Sequence, residues 1–272
     1  MTISDQAAQA APAAAAPAEL SAAQKAQLDA DVTALTAGAA SWAKLPLDKR
    51  AALLREVHAS VSQQAAAWAH TAADIKGLEP DSPLVGEEWM SGPYAVLSAL
   101  AALAETVDAL AAGHSPIEKL TLGTAPGGRV TVPVMPYNAY EGLLLHGFHG
   151  EVWLKPGVSA TQARGEAGLG ELTPTLSGGV GLVLGAGNIT SIPPLDVLYE
   201  IVAHNRATLL KLNPIMAGIM DVYQAALAPL VTAGMLRIVQ GGAGEGSYLA
   251  QHDGIDHVHI TGSAATHDAI VW

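Results

Sequence analysis

Four short segments in the second half of the chain have the composition of β-strands and alternate with segments of helical periodicity. These strand segments are 180–184, 207–210, 236–239 and 257–261. The first two are continuous apolar runs, which are typical of strands buried on both faces of a parallel sheet. Strand and helix alternate four times, which predicts an α/β fold with a Rossmann-like parallel sheet.

The segment between the first two strands has the pattern of a crossover helix. Pro193 and Pro194 suit the first turn of a helix, where a backbone N–H is not needed. After them, Leu195, Leu198 and Val202 recur on one helical face. A strand, helix, strand unit of this kind is the repeating element of a doubly wound sheet.

The first half of the chain has mainly helical patterns. A helix capped by Ser21 is predicted over 20–35, a second begins at Asp48, and a third covers 87–112. Trp68 and Trp89 are predicted to be core residues. The most apolar stretch, 95–110, is shorter than a membrane span and carries two acidic residues.

Two segments between the helical half and the sheet favour extended structure. Residues 129–133 and 142–154 are rich in β-formers, and the first has a period of two. An isolated pair of strands is marginally stable in water, so we expect another surface to cover it. The glycine-rich segment 165–179 lacks the Lys-Ser/Thr pair of a phosphate-binding P-loop and is predicted to be a connection.

Asn188 and Lys211 each follow a predicted strand, so both are expected at the edge of the sheet where α/β proteins bind ligands. The segment 185–190 has Thr190 where the third glycine of a dinucleotide-binding fingerprint would stand. A standard Rossmann phosphate loop is therefore not predicted. Taken alone, Asn188 also suits the cap of a turn, and Lys211 also suits a lysine that reaches to solvent.

A strand that ends in Asn188, a helix, a strand that ends in Lys211, and the later Thr261-Gly262-Ser263 together resemble the NAD(P)-dependent aldehyde dehydrogenases. The resemblance covers most of the chain from about Ser41. It implies that the Asn188 amide stabilises the oxyanion of a thiohemiacetal and that Lys211 binds the adenosine ribose. It also implies that Ser263 contacts the cofactor pyrophosphate.

The same resemblance brings three glycines to the cofactor. Gly242 and Gly246 belong to a predicted turn that passes the pyrophosphate, and Gly262 precedes Ser263. Where the family commonly has a glutamate three residues after the lysine, this chain has Pro214, so the choice between NAD and NADP stays open. The family also usually has Pro-Trp before the asparagine, whereas this chain has Ala-Gly there.

The resemblance suggests four parts. These are a disordered Ala- and Pro-rich tail over 1–20, helices that pack on the cofactor domain over 21–118, a β-arm over 119–158, and a partial dinucleotide-binding domain over 159–272. In the family such an arm contacts a neighbouring subunit, so a homodimer or homotetramer is expected.

Composition narrows the function. The 272 residues carry 13 Lys and Arg against 25 Asp and Glu, and the net charge of −12 argues against nucleic-acid and membrane partners. No positively charged segment precedes an apolar core at the start, so a cytoplasmic location is expected. There is no cysteine, whereas the family's nucleophile is a cysteine. We therefore expect these residues to be the inactive amino-terminal half of a longer enzyme, with the sheet incomplete at its carboxyl end.

His257 and His259 share a strand face near His252, Asp253 and Asp256, but nothing nearby completes a metal site, so no metal is predicted. His252 and Asp256 are expected to be structural. No Gly-x-Ser-x-Gly motif supports a serine hydrolase. Two alternatives stay open: a relative that transfers the acyl group to coenzyme A, and a catalytically inactive nucleotide-binding or assembly module.

Overall fold

A computed structural model of the chain describes residues 19–271. The amino-terminal half is a layer of helices: α1 (Ala22–Trp42), α2 (Leu47–Ile75), α3 (Val85–Trp89), a π-helical turn (Met90–Tyr94) and α4 (Ala95–Ala111). Helix α1 begins as predicted, because the Ser21 hydroxyl accepts a hydrogen bond from the N–H of Gln24 in a capping box. It continues seven residues past the predicted end at Leu35, to Trp42. The predicted tail over 1–20 lies almost entirely outside the described residues.

Helices α2 and α4 pack against each other through buried aliphatic residues that include Val57, Val61 and Leu100. The continuous helix predicted over 87–112 is wrong in one respect, because a π-helical turn that contains Pro93 interrupts it. Proline removes a helical N–H donor and its ring clashes with the preceding turn. Trp68 is buried as predicted, whereas Trp89 is 38% exposed and is not a core residue.

The helical stretch Val85–Ala111 has the length and apolar composition of a membrane span. Its 27 residues make it longer than the sequence pattern predicts, so the prediction that it is too short to span a membrane is wrong. Length and composition alone are weak evidence for a span, since core helices of soluble proteins have the same properties. Here Val96, Leu100 and Val107 are fully buried within the helical layer.

A small antiparallel sheet follows the helical layer. Its elements are β1 (Gly123–Ala125), β2 (Arg129–Met135), helix α5 (Ala139–Leu144) and β3 (Gly150–Trp153), and the strand order is β1-β2-β3. The strand predicted over 129–133 is confirmed, but Leu143 and Leu144 lie in α5 and not in a strand. The Asn138 side chain accepts from the N–H of Glu141 at 2.8 Å and so begins a helix locally.

The carboxyl-terminal half contains the parallel sheet. After α6 (Ala160–Glu166), its elements are β4 (Val180–Leu184), α7 (Ile192–His204), β5 (Ala207–Lys211), α8 (Met220–Ala226), α9 (Ala228–Thr232), β6 (Leu236–Val239), α10 (Ala243–Ala250), β7 (His257–Ile260) and α11 (Ala264–Val271). The strand order is β6-β5-β4-β7, and every pairing is parallel. The predicted α/β fold with a parallel sheet and its four strands is therefore confirmed.

Two local predictions in this half are wrong. The helix predicted over 215–231 is divided into a 3-10 helix (Pro214–Ile219), α8 and α9. Asn213 caps the 3-10 helix, and Pro229, which has no N–H, lies in the first turn of α9. The turn predicted over 241–246 is shorter, because α10 begins at Ala243 with Gly242 at its cap.

Candidate functional site

A crevice lies across the carboxyl ends of the parallel strands and has a volume of about 840 Å³. The strand order reverses at β4, where β5 and β6 lie on one side and β7 on the other. Such a switch point is where open α/β sheets bind ligands, since the crossover helices diverge there. All six site residues predicted from the sequence line this crevice: Asn188, Lys211, Gly242, Gly246, Gly262 and Ser263.

Lys211 is the last residue of β5 and is only 8% exposed. Burial lowers the pKa of its ammonium group, and the nearby charge of Glu245 opposes that effect. Within residues 19–271, no side chain or backbone oxygen forms a hydrogen bond or ion pair with the Lys211 ammonium group, although the Lys211 backbone is bonded within the sheet. The ammonium group keeps access to the crevice, but the burial of the rest of the side chain partly withdraws it from water, so this cation is suited to a polar ligand there.

Asn188 lies four residues after the end of β4 and is exposed at the crevice. Helix α7 begins after Ser191, which makes no side-chain capping bond. In the described part of the chain the Asn188 amide also forms no side-chain hydrogen bond, so the capping alternative has no support in this structure. The amide is available as a neutral hydrogen-bond donor.

Ser263 lies at the start of α11, directly after Gly262 at the end of the β7 loop. Its hydroxyl accepts from the N–H of Thr266 at 3.3 Å and lies 3.0 Å from the Thr266 hydroxyl. The exposed Gly262 has no side chain between the strand and the helix start. Helix amino termini with small residues favour anionic groups, because free N–H groups and the helix dipole face them.

Two further residues that line the crevice, and one that borders it, were not predicted as site residues from the sequence. Asn213 lines the crevice, and its Oδ1 accepts from the N–H of Ile215 at 3.1 Å. Glu245 caps α10, with Oε2 accepting from the N–H of Gly242 at 2.8 Å. Asn213 lies two residues after the strand that ends in Lys211, and this position in the sequence is sufficient to predict a place in the crevice.

The third residue is Thr261, which lines the crevice and donates to Oδ2 of Asp196 on α7 at 2.9 Å. Asp196 also lies 3.3 Å from Nε2 of His259. Burial raises the pKa of Asp196, while its bonds to Thr261 and His259 oppose the shift. The crevice loop is therefore attached to the helix beneath it by a hydrogen bond to an acid.

The histidines and acids of this half form structural contacts. Glu200 is fully buried and lies 3.0 Å from Arg206 and 3.2 Å from His257. Oδ2 of Asp256 accepts from the N–H of Val180 at 2.8 Å, and this bond connects the segment directly before β7 to the start of β4. Among residues 19–271, no group of three His, Cys, Asp or Glu side chains has the arrangement of a metal site.

No protein-family model matches the chain, and no curated protein matches it either. Solved structures do match it. One is the 3,6-anhydro-L-galactose dehydrogenase in complex with NAP, with 14% identity, a TM-score of 0.52, and coverage of 91% of this chain and 41% of the other. Another is the aldehyde dehydrogenase KauB from Pseudomonas aeruginosa, with 15% identity, a TM-score of 0.53, and coverage of 90% and 40%.

A third match is the putative methylmalonate-semialdehyde dehydrogenase from Sinorhizobium meliloti 1021 complexed with NAD. It has 14% identity, a TM-score of 0.51, and coverage of 93% of this chain and 40% of the other. The chain thus has the fold found in part of the aldehyde dehydrogenases, and the predicted fold class is confirmed. It spans about 40% of the length of these solved structures.

Proposed function

We propose that this chain, whose fold is that of the aldehyde dehydrogenases, forms the nucleotide-binding part of an NAD(P)-dependent oxidoreductase that converts an aldehyde to a carboxylic acid. The observation that carries the proposal is the Lys211 side chain, which is largely buried and whose ammonium group opens onto the crevice with no protein partner within residues 19–271. A nucleotide ribose would supply the hydroxyl oxygens that this cation lacks.

The residues present fit such a cofactor. The crevice is about 840 Å³, which is within the range of small-molecule and cofactor sites. In the proposed role, Lys211 donates to the ribose hydroxyls, and Ser263 with the α11 start lies against the pyrophosphate. Gly242, Gly246 and Gly262 let the backbone approach the ligand because they have no side chains.

Asn188 has a different proposed role, in the reaction itself. A bound nicotinamide supplies the hydride acceptor. The Asn188 amide would donate a hydrogen bond to the oxyanion that forms when a thiolate attacks the aldehyde, and a fixed donor of this kind contributes roughly 3 kcal/mol. The 272 residues contain no cysteine, so the nucleophile and the glutamate base of this scheme would have to come from outside them.

The decisive experiment is isothermal titration of NAD and NADP into the chain, beside the variants Lys211→Met and Asn188→Ala. We expect Lys211→Met to weaken binding about tenfold or more, which corresponds to about 1.4 kcal/mol. We expect Asn188→Ala to bind as the unaltered chain does, because its role lies in the aldehyde step. Lys49→Met is the matched control, since the Lys49 side chain is 66% exposed and does not line the crevice.

If neither cofactor binds the unaltered chain, the oxidoreductase proposal fails. The alternative of a module that acts only in assembly would then describe the chain better. If a cofactor binds and Lys211→Met has no effect, nucleotide binding stands but the assignment of the crevice fails.

We also propose that the antiparallel sheet and α5 contact a second copy of the chain. This region exposes large apolar side chains, among them Tyr140 at 71%, Leu143 at 78% and Phe148 at 66%. A concentration of exposed large apolar side chains in one region favours an interface. Light scattering after size exclusion should give a dimer or tetramer, and Phe148→Glu should shift it toward monomer. Leu84→Glu, at an exposed site outside this region, should not.

A further inference from the structure

Glu245 places a negative charge next to the crevice, because its carboxylate is bonded to Gly242, which lines the crevice together with Lys211. It borders a smaller cavity of about 440 Å³, which shares Asn213 and Gly242 with the crevice. Among the described residues that line these two cavities, Lys211 is the one cation and Glu245 the one anion. Any ligand group that enters this region therefore meets one charge of each sign.

The Glu245 carboxylate is held in place on the protein side. Its Oε2 accepts from the Gly242 N–H at 2.8 Å, and its Oε1 accepts from Nε2 of Gln24 on α1 at 3.4 Å. An ionised carboxylate has about four lone-pair sites, so both oxygens keep capacity for a further donor. The carboxylate also occupies the start of α10, where a free helix terminus would otherwise favour an anion.

We propose that Glu245 determines the nucleotide preference of the crevice by accepting a hydrogen bond from the 2′-hydroxyl of an adenosine ribose and by repelling a 2′-phosphate. This inference rests on the proposed nucleotide site and specifies which nucleotide that site takes.

The charges of the two ligand groups decide the preference. A ribose diol can donate to a carboxylate and accept from an ammonium group, so it fits one anion beside one cation. A 2′-phosphate adds a charge of nearly −2 and is normally accommodated by an arginine or by several cations. Here Lys211 would face that phosphate alone, with Glu245 beside it, and like charges held close together oppose binding.

The test uses adenosine fragments, because they probe this end of the site without the nicotinamide. Titration of 5′-AMP and of adenosine 2′,5′-bisphosphate into the chain should give at least about tenfold tighter binding of 5′-AMP. Glu245→Gln should narrow that difference severalfold, mainly by improving the binding of the bisphosphate. Glutamine at this position of the helix retains the capping geometry, so the fold of α10 is preserved.

Glu56→Gln on the exposed face of α2 is the matched control and should leave the ratio unchanged. Equal or tighter binding of the bisphosphate to the unaltered chain would overturn the inference. So would a ratio that Glu245→Gln leaves unchanged. Failure of both 5′-AMP and NAD to bind would instead overturn the proposed nucleotide site itself, so the two failures are distinguishable.

Discussion

Gly187 lies against the side chain of Asn213, so the loops that follow β4 and β5 meet within the crevice. A Cβ atom added to Gly187 would lie 2.7 Å from Nδ2 of Asn213, closer than real Cβ contacts. Asn213 is held there, because its Oδ1 accepts from the N–H of Ile215 at 3.1 Å. The absence of a Cβ atom in glycine at position 187 therefore allows the two loops to lie this close together.

Gly187→Ala should displace Asn213 from its capping position and alter the crevice. We expect a loss of about 1 kcal/mol in the free energy of unfolding, typical of a lost cap, together with severalfold weaker nucleotide binding. Chemical denaturation and titration measure the two effects. Gly86→Ala is the control, since an added Cβ there meets no atom within 4 Å and the site is in helix α3. Unchanged nucleotide binding in Gly187→Ala would contradict this account.

Arg50 is the most heavily bonded side chain between α2 and the parallel-sheet half. It is fully buried, and its guanidinium donates five hydrogen bonds. The acceptors are the carbonyls of Leu45, Trp42 and Pro174, Oε2 of Glu171 and Oδ1 of Asn205. Burial raises the pKa of Glu171 to about 6 in spite of the Arg50 charge. Each side chain of this ion pair therefore needs the opposite charge of the other to offset the free-energy cost of its burial.

Arg50→Met should destabilise the chain by about 3–5 kcal/mol, because it leaves the buried Glu171 carboxylate and several carbonyls without a donor. Arg55→Met on the same helix is the matched control. Arg55 pairs with Asp108 at the surface, where its side chain is 55% exposed, so its loss should cost about 1 kcal/mol or less. Urea unfolding of both variants measures the difference. Similar losses in the free energy of unfolding of the two variants would show that burial does not determine how much these ion pairs contribute to stability.

The sequence predicts the parallel sheet well, because its strands are short apolar runs whose period and flanking residues are local signals. Val180–Leu184 and Leu236–Val239 form where the pattern predicts them. Asn188, Lys211 and Ser263 could be grouped in advance because each follows a strand, and parallel strands end at one edge. The parallel arrangement of the strands thus brings residues that are recognised separately, one after each strand, into one crevice.

The wrong predictions have a common cause: neighbouring residues override the structure that a residue's own type favours. Leu143 and Leu144 have strand-like composition, but the Asn138 cap begins a helix before them. Trp89 has the composition of a core residue, yet the π-helical turn follows it directly and it is 38% exposed. Glu245 was missed because its role depends on a hydrogen bond back to Gly242, which no hydrophobic pattern reveals.

Tyr223 joins the helix after β5 to the loop that leads from the crevice into α7. Its ring is fully buried, and its hydroxyl donates to the backbone carbonyl of Thr190. Tyr223→Phe should cost about 1–2 kcal/mol, because the buried carbonyl loses this donor while the ring packing is retained. Tyr140→Phe, at a site that is 71% exposed, should cost almost nothing. Thermal unfolding compares them, and equal stability of the two variants would contradict the role of this bond.

His204 at the end of α7 gives a stability that depends on pH. Burial, and then the charge of Arg206, lower the pKa of His204 in the folded chain. As the pH falls through about 6.5, the unfolded chain takes up this proton first, so stability decreases. His204→Gln removes that loss. The stability advantage of the unaltered chain over the variant should therefore be smaller at about pH 5.5 than at about pH 8. Urea unfolding at both values measures it, and an equal difference at both would refute the prediction.

Lys211 should make nucleotide binding weaken as the pH rises toward the lowered pKa of its ammonium group. Burial lowers the pKa of this ammonium group, with the Glu245 charge opposing the shift, so the free chain releases the proton at lower pH than an exposed lysine does. Only the protonated form carries the charge and all three donors for the ribose. Binding then requires uptake of a proton wherever the free lysine is partly neutral, and affinity falls as the pH rises through the lowered pKa.

Calorimetric titration from about pH 7 to about pH 9.5, in two buffers with different heats of ionisation, measures both the affinity and the protons taken up on binding. The unaltered chain should take up protons increasingly as the pH rises. Lys211→Met should bind weakly and with less proton uptake at every pH, whereas Lys49→Met should follow the unaltered chain. If Lys211→Met and the unaltered chain have the same pH dependence, another group titrates on binding, and Lys211 is not the residue that contacts the ribose.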